Sequence, residues 1–511
     1  MTRRARKAPP LGLVLDATLA EPLHRQIGEQ LRRAILERRL APGTKLPSSR
    51  LMAEELGVAR GTALLAVDQL IAEGYLVTQA GSGISVAANL PEDMLVSPSV
   101  DGAATTARSR ATADDPVLSR RTVELLAAGP TPQAPFGDPA IAFPLGQPDR
   151  EAFPYRLWAK LLEQEWRKPS WQVAGAPHPF GDSRLREAIA AYLGLARGFA
   201  CEARAVMVTS GLRQSIATLA RLVLDAGDEA WIEEPGFRGT REGLAAAEVR
   251  AVSVPIDASG FSLEAALALA PHAKLAVVAP SHQFPLGTVL GLQRRLELLS
   301  WAERTGGWIV EDDFDGEYRY AGRPLAPLRA LDRSGRVAYL GSFSKLLFPT
   351  LRLSFLVLPA SLVDAAERIM TGVSPRASLL GQGALARFIA EGHLAAHLRR
   401  TRLLYAARQQ ALIASAERHL AGLLEITPDP AGMHVIARPV VSKSGAGIVD
   451  FDDNAAMAAA AAASVSVTPL SACYAGPKKE HGLVLGYAGT PEAEIELAIA
   501  RLGDSLRRLY S

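Results

Sequence analysis

A lysine lies between small hydroxyl residues and an apolar run in the segment from Gly341 to Arg352. Ser342 and Ser344 immediately precede Lys345, and a proline-interrupted apolar stretch follows it. Burial among apolar residues penalises the ammonium form of a lysine, so its pKa falls and the amine becomes nucleophilic toward aldehydes. Serine hydroxyls and an arginine suit a phosphate ester. Together these groups suggest pyridoxal 5'-phosphate (PLP) held on Lys345 as a Schiff base.

Taken alone, Ser-x-Ser-Lys is more often a surface lysine beside a serine-rich turn, so other segments must decide. Ser210 and Gly211 stand between a strand-like run and a helix-like one, and the start of a helix attracts phosphate. Phe237 follows another strand-like run and could stack on a pyridine ring, although ordinary packing is its simpler interpretation. Asp312 follows a third such run, where a carboxylate could hold a pyridinium N–H.

The elements that must position these groups alternate between strand-like and helix-like segments from about residue 142 onward. Such alternation predicts a mostly parallel α/β sheet, and groups at the carboxyl ends of its strands share one edge. An arginine-rich helix is predicted from Gly392 to about Leu420, with a solvated or interdomain face. Residues 425–511 predict a smaller α/β lobe, in which Asn454 caps an alanine-rich helix.

The N-terminal part predicts three helices and a hairpin, which is the pattern of a winged helix-turn-helix. The helices are expected over about residues 23–40, 48–56 and 60–73, and the hairpin over 75–86. In that fold the start of the third helix enters a major groove of DNA. A three-helix interaction module without nucleic acid is the alternative interpretation.

Six residues are predicted to contact DNA in this arrangement. Arg60 and Thr62 begin the third helix, and Arg50 lies in the first turn of the second, within reach of a phosphate or a base edge. A glycine-rich wing tip lets the backbone approach the phosphodiester chain. That tip comprises Gly81, Ser82 and Gly83.

Length and composition predict a multidomain protein of ordinary globular type. A chain of 511 residues is too long to fold around a single hydrophobic core. The predicted segments are a basic tail (1–19), a winged domain (20–87), a flexible linker (88–140) and an α/β domain (141–505). Residues 1–87 hold 12 Lys and Arg against 8 Asp and Glu. Two distant cysteines provide no disulfide framework or metal-ligand spacing, and no membrane span or signal peptide is predicted, so a cytoplasmic location is expected.

Three separated motifs in the N-terminal part resemble the GntR family of DNA-binding domains. They are Glu21-Pro22-Leu23-His24-Arg25-Gln26-Ile27, Leu40-Ala41-Pro42-Gly43-Thr44-Lys45-Leu46-Pro47-Ser48-Ser49-Arg50 and Glu73-Gly74-Tyr75-Leu76-Val77. The resemblance implies binding of promoter DNA. The chain departs from the family at the start of the third helix, where Ala59 and Gly61 replace the usual serine and asparagine. Loss of a capping serine weakens a helix start by about 1 kcal/mol.

Residues from about 140 to 505 resemble the fold type I aminotransferases, and the whole chain is similar to the MocR subfamily of regulators. The motifs are Ser281-His282-Gln283-Phe284-Pro285, Glu311-Asp312-Asp313, Gly322-Arg323-Pro324-Leu325 and Ser342-Phe343-Ser344-Lys345. The resemblance implies a homodimer and a PLP site in which Lys345 forms the internal aldimine and Asp312 contacts the pyridine nitrogen. It further implies that Phe237 stacks on the ring. The implied phosphate and remaining cofactor contacts are Ser210, Gly211, Ser342, Ser344 and Arg352.

Two departures from the aminotransferases bear on function. Phe314 stands where the family commonly has a tyrosine that hydrogen-bonds the phenolic oxygen of PLP. The segment Gly482–Tyr487 lacks the arginine that clamps a substrate carboxylate. Both favour a DNA-binding regulator that senses PLP or an amine or amino acid effector, with weak or no turnover. An active aminotransferase with a DNA-binding domain, and a scaffold that has lost PLP, are the alternatives.

Overall fold

A computed structural model describes residues 11–16, 18–19, 21–79, 83–90, 118–119, 122–123, 141–167, 178–322, 326–372, 376–440, 450–477 and 480–510. The chain divides into two compact units, Met1–Pro116 and Val117–Ser511. The described parts of these units are called the head (11–90) and the body (141–510). Among the described residues, no helix has the length and apolar character needed to cross a membrane.

The head contains the three helices and the hairpin that the sequence predicts. They are α1 (Leu23–Leu36), α2 (Ser49–Leu56), α3 (Arg60–Ala72), β1 (Leu76–Gln79) and β2 (Gly83–Val86), with the strands antiparallel. The Ser48 hydroxyl accepts from the Leu51 N–H (3.3 Å) and so caps α2. The first helix ends four residues before the predicted Leu40, because Arg38 adopts a left-handed conformation (φ 55°) beyond it. Buried residues of all three helices form a core of the head's own.

The body is built on an eight-stranded mixed sheet, which confirms the predicted α/β fold. Its strands are β3 (Val206–Thr209), β4 (Glu229–Glu234), β5 (Arg250–Asp257), β6 (Gly260–Phe261), β7 (Leu275–Val278), β8 (Trp308–Asp313), β9 (Val337–Ser342) and β10 (Ser354–Val357). The spatial order is β3-β10-β9-β8-β7-β4-β5-β6. The five central strands from β9 to β5 run parallel, whereas the pairs that involve β3, β10 and β6 are antiparallel.

Helices surround this sheet, as βαβ connections require. They are α4 (Tyr155–Arg167), α5 (Ser183–Ala196), α6 (Leu212–Val223), α7 (Arg238–Ala245), α8 (Leu263–Leu269), α9 (Leu292–Thr305), α10 (Leu328–Leu331), α11 (Val363–Gly372), α12 (Gln382–Ala390) and α13 (His393–His419).

A smaller lobe follows α13, and its sheet is antiparallel throughout. It comprises β11 (Leu424–Ile426), β12 (His434–Pro439), α14 (Asp453–Ala462), β13 (Thr468–Pro469), β14 (Leu483–Gly486) and α15 (Glu492–Tyr510), with strand order β11-β12-β14-β13. The predicted cap of the alanine-rich helix is wrong by two residues. The Asp452 carboxylate accepts from the N–H groups of Asn454 and Ala455, and Asn454 lies inside the helix.

The arginine-rich helix α13 has a solvated face at Arg399 and Arg400, as predicted, but it also buries Arg408, which was not predicted. The helix packs against α12, α15 and β11. The Arg408 side chain is 7% exposed and forms an ion pair of 2.6 Å with Asp149. Arg402 donates to the carbonyl oxygen of Glu317, whereas Arg399 is exposed. The sequence of a helix does not reveal which of its charged residues will have an ion-pair partner inside the fold.

Candidate functional site

Strand register brings the predicted cofactor residues to one edge of the body sheet. Thr209 of β3, Ser354 of β10 and Ser342 of β9 stand side by side across three neighbouring strands. On the next strand Asp313 pairs with Gly341 and Asp312 with Leu340, so Asp312 lies two residues from the level of Ser342. Ser210 directly follows Thr209, and Lys345 lies three residues beyond Ser342, where β9 ends. The edge of the sheet therefore collects groups that are up to 145 residues apart in sequence.

Lys345 projects its amine into a half-buried position beneath this edge. Its Nζ donates to the carbonyl oxygen of Gly146 at 2.9 Å. Burial lowers the pKa of Lys345, and the carboxylates of Asp315 and Asp312 oppose that shift. Gly146 adopts φ +65°, and a Cβ there would lie 2.2 Å from Nζ. The glycine makes room for an amine whose neutral, nucleophilic form is favoured by burial.

Asp312 is the buried carboxyl group of the site, 7% exposed at the end of β8. Its Oδ1 has no hydrogen-bond partner in the described part of the chain. Burial, and after it the nearby Asp315 carboxylate, raise its pKa to about 7 against the opposing effect of Lys345. An unpartnered buried carboxyl oxygen is costly, and a cationic N–H donor would relieve that cost. The ring nitrogen of PLP is such a donor, so the residues present fit this cofactor.

The predicted phosphate residues surround the start of α6 and the end of β9. Gly211 precedes α6 with φ 147°, and the first backbone N–H groups of a helix have no partner within the helix and attract phosphate. The Ser210 N–H donates to the Gln214 side chain (2.6 Å), so this amide is engaged within the protein. The Ser342 hydroxyl contacts the Ser344 N–H (3.3 Å) and the hydroxyl of Ser354.

Arg352, the last of these predicted residues, is exposed in the turn before β10. It adopts a left-handed conformation (φ 51°) after the 3-10 turn Pro349–Leu351. The turn that begins after Ser342 and ends before Ser354 thus carries both Lys345 and Arg352 at the same sheet edge.

Aromatic side chains form one wall of the site. The Phe237 ring is 41% exposed and lies 5.9 Å from the Phe284 ring, edge to face. Phe284 in turn lies 6.4 Å from Phe314. The Phe237 ring is thus partly exposed, and its stacking on a cofactor stays a prediction. The Phe314 side chain has no polar atom. Its neighbours in this wall are Phe284 and the imidazole of His282, whose ring centre lies 6.1 Å from that of Phe314.

A buried charged cluster behind this wall was not predicted as a functional group. The His282 ring lies between the carboxylates of Asp315 and Asp429, at 3.1 Å from each. Burial lowers the pKa of His282, but the two carboxylates outweigh it and raise the pKa to about 10. Asp429 belongs to the loop before β12, so the imidazolium fastens the small lobe to the large sheet. Asp315 could have been noticed from the sequence, because it ends the run Asp313-Phe314-Asp315. Asp429 could not, because it lies 147 residues after His282.

The head places its predicted DNA residues at the starts of two helices. Arg50 in α2 and Arg60 in α3 are exposed, and Thr62 is half-buried. Gly83 opens β2 with φ +90°, a conformation that favours glycine. Gly81 and Ser82 lie outside the described residues.

Comparison with known proteins matches the head and the body each to a family. Residues 23–86 match the gntR family of bacterial regulatory proteins, and residues 154–502 match class I and II aminotransferases. The probable rhizopine catabolism regulatory protein MocR of Rhizobium meliloti is 41% identical over 98% of this chain and 97% of its own length. The chain belongs to the MocR subfamily of GntR regulators.

Other MocR-type relatives and solved structures agree with this assignment. The pyridoxine biosynthesis regulator PdxR of Corynebacterium glutamicum is 30% identical over 94% of this chain and 95% of its own. Among solved structures, kynurenine aminotransferase of Pyrococcus horikoshii covers 77% of this chain and 96% of its own (TM-score 0.64, 24% identity). LysN of Thermus thermophilus covers 72% and 93% (TM-score 0.64, 25% identity), and its structure contains a phosphopyridoxyl-leucine adduct. The body of this MocR-type chain therefore has the aminotransferase fold.

Proposed function

We propose that this MocR-type protein is a transcriptional regulator whose head binds promoter DNA and whose body binds PLP and senses PLP or an amine effector. The observation that carries the proposal is that the half-buried Lys345 and the buried Asp312 lie at one sheet edge. Lys345 provides an amine whose charged form is disfavoured, and Asp312 provides a carboxyl oxygen without a partner among the described residues. Each is energetically unfavourable without a ligand of complementary chemistry.

PLP supplies an aldehyde that condenses with amines and a ring that withdraws electrons. In this site Lys345 would hold the aldehyde carbon and Asp312 the ring nitrogen. The ring would lie against Phe237. The phosphate would be bound by Ser210, Gly211, Ser342, Ser344 and Arg352.

Sensing is favoured over turnover by two features of the body. Phe314 cannot donate to the phenolic oxygen of the cofactor, and a hydrogen bond to an ionised oxygen contributes about 1.5–3 kcal/mol. The β14 segment, Leu483–Gly486, has no arginine to bind a substrate carboxylate. The relatives that match nearly the whole chain are named as regulators, and one is named for pyridoxine biosynthesis.

Regulation requires that ligand binding to the body change the DNA affinity of the head. A ligand shifts such an equilibrium only by its differential affinity for two states. We propose the segments 1–19, 20–87, 88–140 and 141–505 as tail, DNA-binding domain, linker and PLP-binding domain, in a cytoplasmic homodimer. A long linker between two compact units permits more than one arrangement.

The test combines cofactor spectroscopy with DNA binding. Full-length protein loaded with PLP should show a yellow absorbance that survives dialysis and disappears on borohydride reduction. DNA duplexes enriched from a random pool should then bind with an affinity that changes on PLP addition. Lys345→Ala should abolish both the retained colour and the PLP response while it preserves DNA binding.

Lys160→Ala, an exposed lysine on α4, is the matched control and should behave as wild type. An unchanged PLP response in Lys345→Ala would refute sensing through this lysine. Repeated conversion of an amino acid and a keto acid by wild type would instead support the aminotransferase alternative. Absence of retained PLP would support the scaffold.

A further inference from the structure

The recognition helix α3 exposes two leucines on its outer face, between Arg60 at its start and Asp68 one turn beyond the leucines. Ala63, Ala66, Val67 and Leu70 are buried against the head's core. Leu64 and Leu65 point the other way and are 43% and 58% exposed. Exposed positions on a helix are usually occupied by polar residues, because apolar surface is unfavourable in water.

The two leucines share their face with the positive start of the helix. Residues four apart lie one above the other on a helix, so Leu64 follows Arg60 and Leu65 follows Gly61. A Cβ at Gly61 would meet no atom within 4 Å in the described part of the chain, so nothing shields this side of the helix there. From its start, the exposed side of α3 therefore carries Arg60 and Gly61, then Leu64 and Leu65, and one turn farther on Asp68 and Gln69.

The neighbouring charges favour DNA as the occupant of this face. Arg50 and Arg60 are exposed in the first turns of α2 and α3, where the helix dipoles add further positive potential. The first turns of α3 are thus cationic at Arg60 and apolar at Leu64 and Leu65, and Asp68 lies beyond them. Such a surface complements a major groove, with phosphates at its rim and base edges within.

We propose that Leu64 and Leu65 read thymine through its C5 methyl group, and this inference rests on the proposed function of the head as a DNA-binding domain. Thymine is the one unmodified base of DNA that carries a methyl group in the major groove. A leucine side chain cannot donate or accept a hydrogen bond, so it discriminates bases by apolar contact alone. The expected operator half-site therefore contains thymines beneath the outer face of α3.

The experiment removes the methyl groups from DNA without changing its hydrogen-bonding pattern. A duplex enriched from a random pool by the full-length protein is synthesised again with deoxyuridine in place of thymidine. Wild-type affinity is expected to fall about four-fold for each methyl group that loses leucine contact. The Leu64→Ala/Leu65→Ala double variant should bind the thymidine duplex more weakly and lose no further affinity on the deoxyuridine duplex.

Leu36→Ala serves as the matched control, because Leu36 is also 43% exposed but ends α1. It should retain the full difference between the two duplexes. Thermal unfolding verifies that each variant is folded, and the wild-type comparison needs no variant.

Three results would overturn the inference, and they are distinguishable. Equal wild-type affinity for both duplexes excludes methyl reading and leaves DNA binding intact. A double variant that is weaker on both duplexes, with the wild-type difference preserved, assigns the leucines to another partner such as a second head. Failure to enrich any DNA removes this inference together with the proposed function.

Discussion

At the residue scale, burial disfavours the charged forms of both Lys345 and Asp312. Burial lowers the pKa of the lysine and raises that of the carboxyl, although each opposes the shift of the other. Groups with pKa values perturbed in this way concentrate at functional sites, because the protein tolerates their cost for a ligand. Glu233, half-buried and close to Asp312, shows the same effect, since burial raises its pKa to about 8.

Asp312→Asn is expected to stabilise the cofactor-free protein at pH 8 but not at pH 4. A carboxyl whose folded pKa lies near 7 is protonated in both states at low pH, whereas the unfolded state releases the proton first as pH rises. The folded state thus loses stability between about pH 4 and pH 7, and asparagine cannot ionise. Urea denaturation should show a gain of about 4 kcal/mol at pH 8, which corresponds to a pKa raised from 3.8 to about 7.

The same variant should retain PLP more weakly, because the amide no longer neutralises a ring N–H. Asp225→Asn, on the surface of the body, is the control and should show equal stability changes at both pH values. A variant no more stable than wild type at pH 8 would contradict the raised pKa of Asp312.

Phe314→Tyr tests the missing phenol directly. A tyrosine O–H that donates to the phenolic oxygen of bound PLP stabilises the deprotonated chromophore. The pH midpoint of its visible absorbance should fall by roughly 1 to 2 pH units. Phe314→Leu supplies apolar bulk without a hydroxyl and should leave the midpoint near its wild-type value. If both variants move the midpoint equally, position 314 acts through packing alone.

At the element scale, α13 shows how packing overrides a charge pattern. Its arginines suggested a solvated face, yet Arg408 is enclosed with Asp149 as its ion-pair partner. A buried charge needs its partner, because removal of one member leaves the other uncompensated.

Arg408→Met is expected to destabilise the body by about 3–5 kcal/mol, since Asp149 loses its buried partner. Arg399→Met, on the same helix but exposed, should change stability by less than about 0.5 kcal/mol. Chemical denaturation followed by tryptophan fluorescence reports on the body, because all six tryptophans lie between residues 158 and 308. Equal effects of the two substitutions would mean that the ion pair does not bear on stability.

At the scale of the whole molecule, the head and the body each have a hydrophobic core of their own. Each can therefore respond to its own ligand, and regulation lies in the coupling between them. The compact units divide after Pro116, inside the segment expected to be a linker.

Calorimetry of the full-length protein should resolve two unfolding transitions, and PLP should raise the temperature of one. At a PLP concentration one hundred times its Kd, mass action stabilises the binding unit by about 2.7 kcal/mol. DNA should shift the other transition by the same principle. The Lys345→Ala variant should keep both transitions and lose most of the PLP shift. A single transition that responds to both ligands would show instead that the units unfold together.

Much of the local structure followed from sequence, since periodicity and turn residues report on neighbours along the chain. The head helices and hairpin, and the strands that end at Thr209, Asp313 and Ser342, were predicted within a few residues. Predicted helix boundaries were wrong where a neighbouring residue could also cap the helix. At α14, for example, the Asp452 side chain and not that of Asn454 accepts from the first N–H groups.

The sequence by itself determined which groups could do chemistry: Lys345, Asp312 and the serines at strand ends, and the arginines at two helix starts. The tertiary structure decided which of them meet, and it added partners that no spacing could reveal. Gly146 reaches Lys345 from 199 residues away, and Asp429 reaches His282 from 147. The physical reason is that such contacts depend on strand order and on the packing of the small lobe. Those are properties of the folded chain as a whole, whereas a sequence pattern records only what neighbouring residues require of each other.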